Sequence, residues 1–167
     1  KLVFFTLALN KFSDSEIDEL LKDKKLAYYK PWIMDLRVQK PYQLSDELER
    51  FELDKSVTAS SAWVRLFEET HADLKYDFDG EILSNAEVFD KLQNKDAKIR
   101  KKAAEAISET LSDNIKLFAA ITNNLAKDKA VSDKWHGLPK PITSRNIDNL
   151  VEDEVVDALL KTVKDNY

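Results

Sequence analysis

Hydrophobic positions along this 167-residue chain recur mainly at the spacing of α-helices. After the capping box formed by Ser13 and Glu16, apolar residues follow at i, i+3 and i+4. The segments 57–74 and about 152–163 carry helical spacing over longer stretches. In the second of these, one stripe contains Val155, Val156, Leu159, Leu160 and Val163. The pattern therefore predicts a helix in each segment.

Turn and capping residues predict where several other helices begin and end. Pro31 suits the first turn of a helix that Pro41 stops. Ser45 is positioned to cap a third helix. A second capping box, Ser84 to Glu87, opens a short helix that we expect to run through Leu92. From residue 96 to about residue 135 the composition is again that of helices.

One segment departs from the helical pattern. Apolar residues at Tyr76, Phe78 and Ile82 flank the dipeptide Asp79-Gly80, which predicts a short β-hairpin over 76–82. With only two glycines and four prolines, the chain has too few tight-turn residues for a sheet protein. The predicted fold class is therefore all-α, a multi-helix bundle with one short β-hairpin.

Composition narrows the class of protein. A content of 43% hydrophobic and 34% charged residues fits a folded globular chain. The net charge of −5 argues against a nucleic-acid partner, because phosphate binding needs a surplus of cations. The apolar run LVFFTLALN at positions 2–10 is far shorter than the ~20 residues that span a bilayer, so we interpret it as a buried core element. We expect no membrane partner. The absence of cysteine fits a cytoplasmic location.

Four residues are candidate metal ligands. Glu68-x-x-His71 has the spacing of a helix in a carboxylate-bridged di-iron site, and Asp133-x-x-His136 resembles a second half of such a site. The second motif has Asp where the site needs Glu, and it lies just before Gly137, where a helix would end. We therefore interpret both histidines as surface or hydrogen-bonded helix residues.

A basic cluster is the remaining candidate for ligand contact. Lys98, Arg100, Lys101 and Lys102 could contact phosphate, but Glu105 follows four residues after Lys101 and points to a solvated helix face. Two isolated glycines cannot form a phosphate loop, and no spacing of Ser, His and Asp suggests a catalytic triad.

Many short stretches, in a shared order, resemble the oligoendopeptidase F branch of the thimet-oligopeptidase-like M3 metallopeptidases. They include LVFFTLALNK, LAYYKPWIMDLR, SSAWVRLFEE, DGEILSNAEVF and KIRKKAAEAISETL, with the strongest similarity in the final run from NNLAKDK to ALLKTV. The resemblance covers nearly the whole chain. It departs from the family at His136, where arginine is expected, and at Pro31, which interrupts an often continuous helix.

The resemblance implies a peptidase activity for the family and implies that the catalytic residues lie outside this chain. Members of this family are zinc endopeptidases that cut short peptides, with zinc held by an HExxH helix and a later glutamate. This chain contains no HExxH, so we expect no catalytic, cofactor-binding or metal residue in it and expect zinc only in a full-length parent. The chain resembles the amino-terminal non-catalytic portion, which forms one wall of the substrate channel.

The resemblance also suggests domains and partners. We expect an amino-terminal helical lobe over 1–75 and an oligoendopeptidase F-type helical domain over 76–167. The expected partners are the catalytic carboxy-terminal half of the same polypeptide and oligopeptide substrates. The stretch Trp135–Pro141 is interpreted as a structural kink near the channel. The alternative hypothesis is a self-standing helical module that binds a partner helix.

Overall fold

The computed structural model describes residues 3–167, which are mainly helical with one β-hairpin, as predicted for the all-α class. The chain divides into two compact units. The first unit comprises Lys1–Asp54 together with Lys129–Tyr167, and the second comprises Lys55–Asp128. Among the helices of residues 3–167, none combines the length and the hydrophobicity that a transmembrane span requires.

The first unit is built from short helices. They are α1 (Val3–Lys11), α2 (Asp14–Leu20), α3 (Lys24–Ala27), α4 (Lys30–Arg37), a 3-10 helix at Lys40–Tyr42, α5 (Asp46–Ser56), and, near the other end of the chain, α10 (Thr143–Asp148) and α11 (Asp153–Asp165). The predicted capping box of α2 is present, since Ser13 and Glu16 satisfy each other's backbone N–H groups. Ser45 accepts from the backbone N–H of Leu48, as its predicted capping role requires.

The apolar run at the amino end forms α1. Leu7 and Leu9 are buried, so the prediction of a core element is confirmed for these residues. It is wrong for Phe4, which is 66% exposed. Lys1 and Leu2 lie outside the described residues. A helix buries only one face in the core of its unit, whereas the run is apolar all round.

The second unit has the more continuous hydrophobic core. It contains α6 (Ser60–Asp73), β1 (Tyr76–Phe78), β2 (Glu81–Leu83), α7 (Asn85–Lys91), α8 (Ala97–Asp113) and most of α9 (Ile115–His136). Hairpin and helix residues meet in one cluster, formed by Leu74, Tyr76, Leu83, Val88, Ala103, Ala106 and Ile107. Tyr76 and Val88 are fully buried. The predicted capping box of α7 is present at Ser84 and Glu87.

The hairpin follows the sequence prediction closely. Tyr76 pairs with Leu83 and Phe78 with Glu81 in an antiparallel ladder. Asp79 and Gly80 both have positive φ, at 56° and 85°, as a two-residue hairpin turn with the twist of the strands requires. The carboxylate of Asp77 accepts from the backbone N–H of Gly80 and fixes the turn.

The helix predicted over 57–74 is shorter than expected. The structure ends α5 at Ser56 and begins α6 at Ser60, with residues 57–59 forming a turn. Two β-branched residues, Val57 and Thr58, lose rotamer freedom in a helix, and the Thr58 hydroxyl instead donates to the carbonyl of Lys55. The apolar period continues across this turn, which is why the pattern alone did not reveal it.

The compact units do not coincide with the division expected between residues 75 and 76. Both unit boundaries fall inside helices, one in α5 and one in α9. The carboxy-terminal residues from 129 onward group with the amino-terminal helices. Periodicity along the chain cannot reveal such a grouping, because it depends on contacts between distant segments. The division into family domains stays a prediction.

Candidate functional site

The first unit holds a polar cluster around His136, at the last turn of α9. Gly137 follows with a φ of 68° and ends the helix. The backbone N–H of Leu138 donates to the carbonyl of Asp133 at 3.0 Å, and that of Gly137 donates to the carbonyl of Lys134 at 3.3 Å. These two bonds form a Schellman motif, which needs a left-handed residue and so favours glycine. The stretch interpreted as a structural kink thus contains the capped end of α9.

Both ring nitrogens of His136 face oxygen acceptors. Nδ1 lies 2.7 Å from the backbone carbonyl of Tyr42, and Nε2 lies 2.8 Å from a carboxylate oxygen of Glu52. A carbonyl and a carboxylate can only accept, so both contacts are satisfied at once only by a doubly protonated ring. The other oxygen of Glu52 accepts from the Ser132 hydroxyl. The cluster therefore joins α9, α5 and the 3-10 turn through one imidazole ring.

In this cluster, His136 and Glu52 each favour the charged form of the other. Burial opposes a charge on His136, but its hydrogen bonds to Tyr42 and Glu52 outweigh burial and raise its pKa above the ordinary 6.5. Partial burial likewise acts to raise the pKa of Glu52, yet hydrogen bonds from Ser132 and His136 hold that pKa below 4.5. The Ser132 hydroxyl donates to the carboxylate and not to the imidazole. The Ser132 hydroxyl therefore lacks the contact to a base that would activate it as a nucleophile.

The second histidine lies in the second unit and has a different environment. Asn85 donates to both Nδ1 and the backbone carbonyl of His71, each at 2.9 Å. The hydroxyl of Tyr76 in turn donates to the Asn85 side-chain oxygen at 2.7 Å. Burial raises the pKa of the Tyr76 hydroxyl, which keeps it neutral and able to donate. Phe67 stacks on the His71 ring at a centroid distance of 5.5 Å.

The four candidate ligands do not fit a catalytic zinc or a di-iron site. Nδ1 of His71 accepts from Asn85, and Glu68 lies on the same helix as His71, α6. Both nitrogens of His136 are engaged in hydrogen bonds, and Asp133 is paired with Lys129. Across residues 3–167 no group of three or more His, Asp or Glu side chains could hold a metal ion. The expectation that the site residues lie elsewhere stays a prediction.

Three side chains of the basic cluster on α8 contact carboxylates or backbone carbonyls of the second unit. Lys102 pairs with Asp79 at 2.6 Å, and Lys101 lies 3.7 Å from Glu105. Arg100 donates to two backbone carbonyls just before the helix. These contacts are those of a solvated helix face, as the charge pattern indicated.

A buried arginine is the residue that sequence reasoning missed most clearly. Arg37, at the end of α4, is 7% exposed and donates to the backbone carbonyls of Leu9 and Phe12 at 2.9 and 3.1 Å. It also pairs with Asp14 at the start of α2. A single guanidinium thereby ties α1, α2 and α4 together. An arginine in a helix gives no sign in sequence that it is buried.

A groove of about 530 Å³ lies within the first unit. Its apolar lining residues are Val38, Pro41, Pro139, Ile147, Leu150 and Val151. Its charged lining residues are Asp35, Glu152 and Asp153, and Asp153 is paired with Lys140 at 3.0 Å. Tyr42, whose carbonyl contacts His136, also lines it. The groove thus has a mixed lining of apolar and acidic side chains.

Comparison with known proteins confirms the resemblance over part of the chain. Residues 9–76 match the family model described as Oligopeptidase F. A crystal structure from Chlamydophila abortus, described as that of a "putative peptidase", has a similar fold with a TM-score of 0.79 at 20% sequence identity. The similarity covers 98% of this chain and 28% of that chain. No curated protein matches the sequence.

The two similarities cover different lengths. The family model ends at residue 76, so it matches the region expected as the amino-terminal lobe. Of the region 76–167, expected to be the family's helical domain, residues 77–167 lie outside that match and are covered by fold similarity alone. This chain spans little more than a quarter of the length of the similar structure.

Proposed function

We propose that this chain is the non-catalytic helical portion of a zinc-dependent oligoendopeptidase, in which it forms a wall of the substrate channel. The observation that carries the proposal is the match of residues 9–76 to the Oligopeptidase F model. The fold similarity at 28% coverage supports it, since the similar chain is several times longer. Hydrolysis of short peptides would then be an activity of the parent, with zinc held outside this chain.

The chain's own side chains are consistent with a supporting role. The two histidines are engaged in hydrogen bonds that join helices within their units. A catalytic zinc needs three protein ligands and an open position for water. A general base would have to lie within hydrogen-bond reach of that water. The residues of this chain would position and shape the channel, and the chemistry would be supplied by the remainder of the parent.

The apolar stripe of α11 is the surface that would contact the remainder of the parent. Val155, Leu159, Leu160 and Val163 are 54%, 64%, 52% and 46% exposed, although they recur on one face of the helix. Fully burying one such side chain stabilises a complex by roughly 1.5–3 kcal/mol. A continuous stripe of this kind is typical of a face that packs against another part of the protein.

The first experiment measures activity. A quenched-peptide assay is run on the purified 167-residue chain and on a longer parent, with zinc content measured after dialysis. We expect chelator-sensitive cleavage and bound zinc only in the parent. Chelator-sensitive turnover by the 167-residue chain would contradict the proposal and make His71, His136, Glu68 and Asp133 candidate ligands again. A parent without peptidase activity would also contradict the proposal.

The second experiment tests the stripe on α11. In the 167-residue chain, an environment-sensitive dye should bind the exposed stripe, and Leu159→Ser should reduce that binding. Lys161→Ser is the matched control on the opposite face of the same helix, where it removes only a weak surface pair with Asp165. In the parent, Leu159→Ser should loosen the contact between this portion and the remainder, as measured by limited proteolysis. Equal effects of the two substitutions would refute the role of the stripe.

A further inference from the structure

The contacts of His136 point to a proton-dependent device, and the argument begins with their direction. The ring lies between two acceptors that belong to separate elements of the first unit. On one side is the carbonyl of Tyr42, which ends the 3-10 helix, and on the other is the carboxylate of Glu52 on α5. These residues are 94 and 84 positions away from His136 in sequence. The imidazole therefore joins the end of α9 to two elements that are distant from it in sequence.

Loss of one proton must break one of the two bridges. A neutral imidazole keeps a single N–H, and the other nitrogen then carries a lone pair. At the observed distances of 2.7 and 2.8 Å, that lone pair would face an oxygen lone pair of Tyr42 or Glu52. The proton leaves to water, and the repelled oxygen must move away or find another donor. The bridge thus exists in full only while the ring is charged.

The charges around the ring favour its protonated form. From α5, Glu52 contacts the ring, and Glu49 adds a second negative charge nearby. Glu49 also accepts from the backbone N–H of Leu44 at 2.9 Å, which holds the segment after the turn. From α9 itself, Asp133 is already paired with Lys129. From the turn, the facing group is a neutral carbonyl. Glu52 therefore contacts the ring directly, and Glu49 adds a second negative charge that favours the protonated ring.

We propose that His136 is a proton-operated clamp that holds the 3-10 turn and α5 to the carboxy-terminal end of α9. The clamp adjoins the groove, because Pro41 and Tyr42 on one side and Pro139 on the other line it. Protonation of the ring keeps the turn and the helix end together. On deprotonation the remaining N–H stays with the charged carboxylate of Glu52, which is the stronger acceptor, so the bond to the Tyr42 carbonyl is lost and the turn is released. Proton binding to His136 thereby controls the shape of this edge of the groove.

The direction of the pH effect follows from the raised pKa. A group whose pKa is higher in the folded chain contributes stability that is complete below its ordinary pKa of 6.5. That contribution is lost as the pH rises through the pKa of the folded chain. The clamp is therefore closed in mild acid and opens toward alkaline pH.

The experiment follows the ring and the turn separately. Two-dimensional ¹H–¹⁵N spectra of the histidine rings should show His136 with both nitrogens protonated at pH 6 and a titration above 6.5. A His71→Gln variant assigns the signals, since the chain contains only two histidines. A ring that is neutral at pH 6, or that titrates at or below 6.5, would overturn the proposal.

Hydrogen exchange then tests whether the proton controls the turn. After correction for intrinsic rates, protection of the Gln43 and Leu44 amides should fall between pH 6 and pH 8.5. The expected fall is about tenfold for each unit by which the pKa in the folded chain exceeds the unfolded one. The amide of Val88, buried in the second unit, is the internal control and should not change. Unchanged protection at Gln43 and Leu44 would refute the clamp.

Two substitutions separate charge from shape. His136→Arg keeps a permanent charge with several donors, so protection of the turn should become independent of pH. His136→Gln can donate only through a neutral amide, so protection at pH 6 should already be low and independent of pH. If His136→Arg retains the pH dependence of the unmodified chain, another group controls the turn. None of these outcomes depends on the peptidase activity of a longer parent.

Discussion

Replacing Asn85 with alanine should destabilise the second unit, because Asn85 holds three hydrogen bonds together. Its oxygen accepts from the Tyr76 hydroxyl at 2.7 Å, and its nitrogen donates to Nδ1 and to the carbonyl of His71 at 2.9 Å. A typical net contribution is about 1 kcal/mol per bond, and a buried group left unbonded costs about 1–3 kcal/mol. Tyr76 is fully buried, and without Asn85 its hydroxyl loses this hydrogen-bond partner. We expect a loss of about 3 kcal/mol in the free energy of unfolding.

A double-mutant cycle isolates the bond between the two side chains. Tyr76→Phe removes the hydroxyl alone and should cost about 1–2 kcal/mol. In the double variant no unbonded hydroxyl remains, so the combined loss should be smaller than the sum by about 1 kcal/mol. Additive losses would show that the bond contributes nothing to stability.

The assay must report on the second unit alone. Trp63 lies in this unit, whereas Trp32 and Trp135 lie in the first unit and are 49% and 63% exposed. A background with Trp32→Phe and Trp135→Phe leaves Trp63 as the only fluorescent tryptophan during urea unfolding. Asn123→Ala, at an exposed helix position, is the matched control and should change stability by no more than about 0.5 kcal/mol. A loss below about 0.5 kcal/mol for Asn85→Ala would refute the reasoning.

Three further predictions concern the first unit. Arg37→Met leaves the carbonyls of Leu9 and Phe12 without their donor. It should lower the free energy of unfolding by about 2–3 kcal/mol in urea titrations. A change of less than about 0.5 kcal/mol, as for a neutral surface substitution, would contradict this. The hydrogen bond and the charge of Arg37 hold the pKa of Asp14 below its ordinary 3.8. The stability that this pair contributes is therefore present above pH 3.8, and it is lost as the pH falls through the lower pKa of the folded chain. Acid titration of Arg37→Met should therefore show a smaller loss of stability below pH 4 than the unmodified chain, and an equal loss would argue against the pair. Leu150 has a φ of 52° and is 55% exposed. Leu150→Gly should therefore relieve about 1 kcal/mol of backbone strain and raise the unfolding temperature measured by calorimetry. A lower unfolding temperature would show that the apolar contacts of Leu150 contribute more than the strain costs.

Local features of this protein could be predicted because they depend on residues within one helical turn of each other. Ser13 with Glu16, Ser84 with Glu87, and the pair Asp79-Gly80 form the expected caps and turn. Helical periodicity predicted the all-α fold class for a similar reason, since it records which face each helix turns toward a core. The failure at residues 57–59 marks the limit of this logic, because an apolar period can continue across a break in the backbone.

The polar clusters could not be predicted, because tertiary contacts alone bring their members together. Glu52 and His136 are 84 positions apart, and Arg37 reaches a carbonyl 28 positions away. The sequence identified His71 and His136 as polar helix residues but contained no sign of Asn85, Glu52 or Tyr42 as their partners. The grouping of residues 129–167 with the amino-terminal helices is of the same kind. Sequence alone determined the helices, their caps and the hairpin, whereas tertiary structure decided which charges are buried and paired, because the free energy of a buried charge depends on neighbours that the fold supplies.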